Sequence, residues 1–149
     1  MMPRPGFDID ARDHRRALKL LGERVAKRVS RKAVTAGSAP IVKATRAGAP
    51  QESGLLAKSI GRKIKAFGDT GNAYAIVGAR RDVVGEFNGQ TRRPANYLHL
   101  IELGHINADG SFTPGNPFVK RASESTREQA QAAVRAKLES EIKREADRL

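Results

Sequence analysis

Cysteine and tryptophan are both missing from the 149 residues. The lack of cysteine excludes disulfide scaffolds, thiolate metal sites and thiol nucleophiles together. No stretch approaches the roughly 18 consecutive apolar residues of a membrane span. The opening MMPRPGFDID has no apolar core of a secretory leader. The expectation is a soluble protein made in the cytosol, with no membrane partner. Aromatic residues are scarce at 5%, and hydrophobic content is 39%. Such a lean core in a chain of one-domain length implies that some apolar surface is meant for neighbouring subunits. Acids are short as well: 16 Asp and Glu face 28 Lys and Arg, a net charge of +12. That balance favours a polyanionic or acidic partner.

The excess charge is concentrated at the front, where residues 1–50 hold twelve basic and four acidic side chains. Residues 1–9, with Pro3, Pro5 and Gly6, read as a flexible arm ahead of a single domain spanning 10–149. From Asp10 the spacing of Leu18, Leu21, Val25, Val29 and Ala33 predicts a helix with one apolar face. Off that face lie Arg12, Arg15, Arg16, Lys19, Arg24, Lys27, Arg28, Arg31 and Lys32, opposed only by Asp13 and Glu23. Like charges four residues apart repel, so these nine residues are a candidate face for DNA or an acidic partner. Gly37 and Pro40 predict a kink, with a short continuation over Ile41 to Thr45.

After the turn at Gly48 to Gly54 the period changes to two. Ile60, Ile64 and Ala66 fall on one side of a strand beginning near Ser59, with Lys63 and Lys65 on the other. The turn-rich segment GDTGN leads to a second strand over Tyr74 to Arg80, with Ala73, Ala75 and Val77 on one face, so the pair predicts a hairpin. Gly85 to Asn96 and His105 to Gly115 read as loops. The segment YLHLIELG fits a short helix capped by Asn96 and ended by Gly104. Asn116 followed by Pro117 signals a helix start, and Ala130, Val134, Leu138 and Ile142 carry that helix to about Asp147, a length of about 45 Å.

No catalytic signature emerges. His99 and His105 do not share a helical face, Glu102 opposes both on a strand, and His14 is remote, so no metal site is expected. No serine sits in a nucleophile elbow, the acids lie singly in turns and loops, and no glycine-rich phosphate loop is present. A non-enzyme without cofactor or metal is the expectation. Glu102 lies inside an apolar octet; it is either an exposed residue of an amphipathic helix or a carboxylate paired with an Arg or with backbone N–H groups. Tyr74, Tyr97, Phe112 and Phe118 read as core or interface packing, and no aromatic and basic interleaving of the RNA-recognition type is evident.

Five marks recur in a characteristic order: Ala49 and Pro50, SGLLAKSI from Ser53 to Ile60, AYAIVG from Ala73 to Gly78, YLHLIELG from Tyr97 to Gly104, and NPFVKRA from Asn116 to Ala122. Their order and spacing resemble the gene-ten-like neck and tail-completion proteins of long-tailed bacteriophages. The marks occupy about half the chain, and the flanking helices agree in character. The resemblance implies a structural protein of the virion, placed where the DNA-filled head meets the tail and assembled in the host bacterial cytoplasm as a ring of copies. Its implied partners are copies of itself, other neck and tail proteins, and the DNA of the conduit. Neck and tail-terminator roles both fit. Tyr97, Ile101, Glu102, Gly104, Pro117, Phe118, Val134, Leu138 and Ile142 are the candidate interface or packing residues. The alternative is a basic protein that binds nucleic acid without sequence readout. The expected fold is α+β: a long kinked N-terminal helix, a small antiparallel sheet with a central hairpin, a short helix and a long C-terminal helix.

Overall fold

The apolar repeat at the front of the chain builds two consecutive helices. The computed structural model describes residues 12–52, 54–67 and 69–148; the expected arm at 1–9 lies outside them, as do the side chains of Asp13, Arg15 and Leu18. Helix α1 spans Arg12–Leu21 and α2 spans Glu23–Gly48. The interruption falls at Gly22, whose φ of +92° is left-handed and costs a glycine little. It does not fall at Gly37 or Pro40, as the sequence suggested: α2 runs through both. Pro40 forfeits one backbone bond, and just before it Ser38 Oγ and Thr35 Oγ1 donate to the carbonyls of Thr35 and Arg31 at 3.0 and 2.7 Å.

The remaining elements are α3 (Leu55–Ser59), β1 (Ile60–Ala66), β2 (Ala73–Ala79), β3 (Gly85–Phe87), β4 (Gln90–Arg92), a 3-10 turn at Pro94–Asn96, α4 (Leu98–Leu103), β5 (Gly104–Ile106), β6 (Phe112–Pro114), α5 (Phe118–Ser125) and α6 (Arg127–Ala146). The α+β class holds, with long helical stretches at both ends and small antiparallel sheets between them. The sheets are three separate two-stranded ones, β1–β2, β3–β4 and β5–β6. Both segments read as loops therefore contain hairpins. In one, Glu86 faces Thr91 across a turn where Asn88 and Gly89 are left-handed; in the other His105 faces Thr113. Strands of three residues are too short to display an alternation in sequence. The C-terminal helix also differs from expectation, since Thr126 separates α5 from α6.

The chain forms two compact units. The first takes residues up to Ile41, Lys63–Ile76 and Thr126 onward. Its core is Ala26, Val29 and Ala33 of α2 against Val134 and Leu138 of α6, with Val25 and Ile142 packed alongside. Three of those five buried residues are small or β-branched contributions from α2, so the helices approach closely. Gly37 completes the contact: a Cβ there would overlap Val134 Cγ2 and stand 3.1 Å from the Ala130 carbonyl oxygen. Ser30 Oγ donates to the Gly71 carbonyl at 2.8 Å, tying the tip of the β1–β2 hairpin to α2.

The second unit takes Val42–Arg62 and Val77–Ser125. Val42, Ala49, Leu56, Ile60 and Phe118 form its core, and Val77, Tyr97, Leu98, Ile101 and Val119 pack against them. Phe118 is fully buried, a burial contributing about 1.5–3 kcal/mol. Arg46 donates Nε and Nη2 to the Ile60 carbonyl at 3.1 and 2.8 Å, fixing the end of α2 against the start of β1.

Candidate interaction surfaces

Within the first unit the basic face divides in two. Glu141 and Glu145 are 5% and 7% exposed, and buried carboxylates require partners. They take them from α2: Lys32 Nζ lies 3.1 Å from Glu141 Oε2, and Arg28 Nη2 lies 2.6 Å from Glu145 Oε1. Lys137 and Arg148 add longer bridges of 3.5 and 3.4 Å to Glu141 and Glu145. The hydrogen bond from Lys32 is the main cause that holds the Glu141 carboxyl below its ordinary range, against the opposing effect of burial. Arg28 and Lys32 are therefore structural cations, and α6 does not balance only its own charges.

The other cations have a different setting. Arg24, Lys27 and Arg31 follow one another at three- and four-residue steps, which makes a continuous stripe on α2. All three are exposed, as are Arg16 and Lys19 on α1. Among the described residues no carboxylate lies within ion-pair distance of these five. Arg12 is engaged elsewhere, and the side chain of Arg15 is outside the described set. On α1, His14 Nε2 stands 3.8 Å from Glu139 Oε1.

In the second unit Glu102 is not freely solvated, and among the described residues no arginine lies within ion-pair distance of it. Its Oε2 accepts the backbone N–H of Val119 at 3.1 Å and its Oε1 that of Lys120 at 3.0 Å. The first N–H groups of a helix have no partner inside it, so this acid caps α5 from a different element, with its charge favourably placed at the helix start. Asn116 Oδ1 accepts from Arg121 Nη2. Asn96 does not cap α4, whose N-cap position is held by Tyr97 without a side-chain bond. Gly104 ends α4 with φ at +82°. Tyr97 and Ile101 pack on the core, and burial pushes the Tyr97 phenol up, with Arg92 opposing. Pro117 directly precedes α5, and its carbonyl accepts the Arg121 N–H at 3.0 Å.

Of the candidate packing residues, Phe118 is core in this unit, while Val134, Leu138 and Ile142 pack in the first. Phe112 behaves otherwise: it is 63% exposed, beside Leu103 at 71% and Ile106 at 75%. Ile106 and Phe112 are direct cross-strand partners, and the Phe112 ring closes over Gly104, next to Leu103. The sequence does not single out either of the other two: Leu103 ends a short helix, where an apolar residue looks the same whether it faces inward or outward, and Ile106 lies in a segment read as a loop. His99 is exposed, and His105 keeps Nδ1 buried without a hydrogen-bond partner. Among the described residues no group of three His, Asp or Glu could hold a metal ion, and no helix is long and apolar enough to cross a membrane.

No curated protein and no solved structure matches the chain. A family model does match, over residues 12–104, more than half of the chain: HK97-gp10-like, described as "Bacteriophage HK97-gp10, putative tail-component". That span runs from α1 to the first residue of β5 and takes in Glu102 and the stripe on α2. With these helices, hairpins and marks in place, the chain belongs to the HK97-gp10-like family of bacteriophage tail components.

Proposed function

We propose that this structural tail component works at the head–tail interface as a neck or tail-completion protein, assembled into a ring that joins the DNA-filled head to the tail. The observation that carries the reading is the exposed trio Leu103, Ile106 and Phe112 in the second unit. Ile106 and Phe112 pair across β5–β6, with Leu103 just ahead of them in the chain; exposed apolar surface of this kind on a small chain marks a protein contact, and in a ring each copy covers the trio of its neighbour. The part is structural and non-enzymatic, and assembly takes place in the host bacterial cytoplasm. The stripe of Arg24, Lys27 and Arg31 faces the DNA of the conduit, holding phosphates without reading sequence.

An electron-microscopy map of the assembled particle tests this reading. The expected result is several copies in a closed ring at the head–tail junction, with the trio buried between neighbours. A single copy there, or a ring with the trio in solvent, overturns it. A second reading, a basic nucleic-acid-binding protein acting outside the particle, draws on the same unpaired stripe. It requires tight binding of duplex DNA by the isolated chain and no place in the particle.

A further inference from the structure

The outer face of the β1–β2 hairpin in the first unit carries Lys63, Lys65, Phe67, Tyr74 and Ile76. Strand alternation separates them from Ile64, Ala66, Ala73 and Ala75, which are the less exposed set. Backbone bonds from Phe67 N–H to the Asn72 carbonyl and from Arg80 N–H to the Ser59 carbonyl, both 2.8 Å, fix the register at the two ends. That register sets Lys65 across from Tyr74 and Lys63 across from Ile76. Tyr74 is 45% exposed and Ile76 51%. Lys65 Nζ sits 5.2 Å from the centroid of the Phe67 ring, and the Phe67 and Tyr74 rings are 6.2 Å apart and tilted by 37°. From Lys58 to Arg81 the only acid is Asp69. Among the described residues no carboxylate lies within ion-pair distance of Lys63 or Lys65.

We propose that this face docks an acidic protein other than a copy of this chain, one whose carboxylates reach Lys63 and Lys65 while its apolar side chains cover Phe67, Tyr74 and Ile76. Charge complementarity selects the partner. A second copy brings a net charge of +12, so its approach is opposed by the charge of the whole chain. Nucleic acid fits less well. Bases stack on open aromatic faces, but Lys65 covers Phe67, the two rings do not form a parallel platform, and Ile76 has no phosphate or base to meet. Alternating lysines about 7 Å apart along one strand suit an extended segment with acids at every second position and apolar residues between them. The inference needs only a tail component with protein neighbours and does not depend on the ring.

The test is a titration of the full chain into a dye-labelled twelve-residue peptide alternating Glu with Val and Phe, read by fluorescence anisotropy. A charge-reversed Lys peptide and a twelve-nucleotide oligothymidylate serve as comparison probes. Saturable binding of the acidic peptide is expected, at least tenfold tighter than the Lys peptide. Lys63→Gln with Lys65→Gln should weaken it at least tenfold and flatten its salt dependence. Tyr74→Ser with Ile76→Ser should weaken it to a similar degree with the thermal midpoint unchanged. Absence of binding, or binding that neither double variant alters, overturns the proposal. So does oligothymidylate binding lost in the same variants, which assigns the face to nucleic acid, or self-association abolished by Tyr74→Ser with Ile76→Ser, which assigns it to a copy. Each of these failures leaves the ring reading standing, because that reading rests on Leu103, Ile106 and Phe112.

Discussion

Glu102 accepts the backbone N–H of Val119 at 3.1 Å, seventeen residues along the chain, and so pins the start of α5 to the end of α4. The carboxylate also holds Lys120 N–H. Glu102→Gln keeps one acceptor and loses the charge, and should cost about 1 kcal/mol, within the usual range for a helix cap. Glu102→Ala removes both acceptors and should cost about 1–3 kcal/mol. Chemical denaturation of the two variants checks the order; equal stability of wild type and Glu102→Ala contradicts the cap.

Gly37→Ala reverses the ordinary preference of helices. At an exposed helical site the change gains about 1 kcal/mol, but here the new methyl group meets Val134 Cγ2. A net loss of about 1–3 kcal/mol is expected. Adding Val134→Ala should recover part of it, a coupling that a double-mutant cycle measures directly.

Acid should weaken the first unit through Glu141. Its folded pKa is lowered, first by the Lys32 hydrogen bond, so the contribution is present above the unfolded value of about 4.3. It is lost as pH falls through the lower folded value. In Lys32→Met the carboxyl keeps only the longer bridge to Lys137, at 3.5 Å. Stability near neutral pH should then drop by about 1–3 kcal/mol, with a shallower further loss below pH 4. Unfolding free energy measured from pH 2 to 7 for both proteins tests the slope.

Replacing Arg24, Lys27 and Arg31 with Gln should leave the fold within about 0.5 kcal/mol per site, since these are exposed positions. If the stripe meets phosphates, duplex DNA affinity falls and the slope of log affinity against log salt decreases by about 0.9 for each contact removed. The same experiment on Arg28→Gln should behave differently, costing stability because Glu145 then loses its 2.6 Å partner.

Long elements with a repeating side-chain period were legible in the sequence. The helix faces at Val25, Val29 and Ala33 and at Val134 and Leu138 follow from three- and four-residue spacing, and the hairpin from the alternation of Ile64, Ala66, Ala73 and Ala75. The outer face of that hairpin was legible too, as the complement of the inner one. Three-residue strands, the break at Gly22 and the separation at Thr126 were not, because each turns on one or two backbone angles. The α5 partners of Glu102 and the α2 partners of Glu141 and Glu145 were equally hidden. They lie 17, 109 and 117 residues away, and no local pattern announces a contact that only the fold creates. The apparent surplus of nine cations on the first helices shrank for the same reason.

The two bridges between α2 and α6 act together as a vernier. Arg28 and Lys32 are four residues apart, as are Glu141 and Glu145, and they meet in antiparallel order. The packed surface between the helices is rich in alanine and valine and is keyed where Val134 seats on Gly37. The charges add a second key. A slip of four residues in one direction sets Lys32 against Lys137, and in the other it sets Glu141 against Ala36. Each misalignment leaves a like-charge pair or takes from Glu141 its 3.1 Å partner, with only Lys137 of its own helix left to it, so the ladder reinforces the alignment that the seat of Val134 on Gly37 already favours.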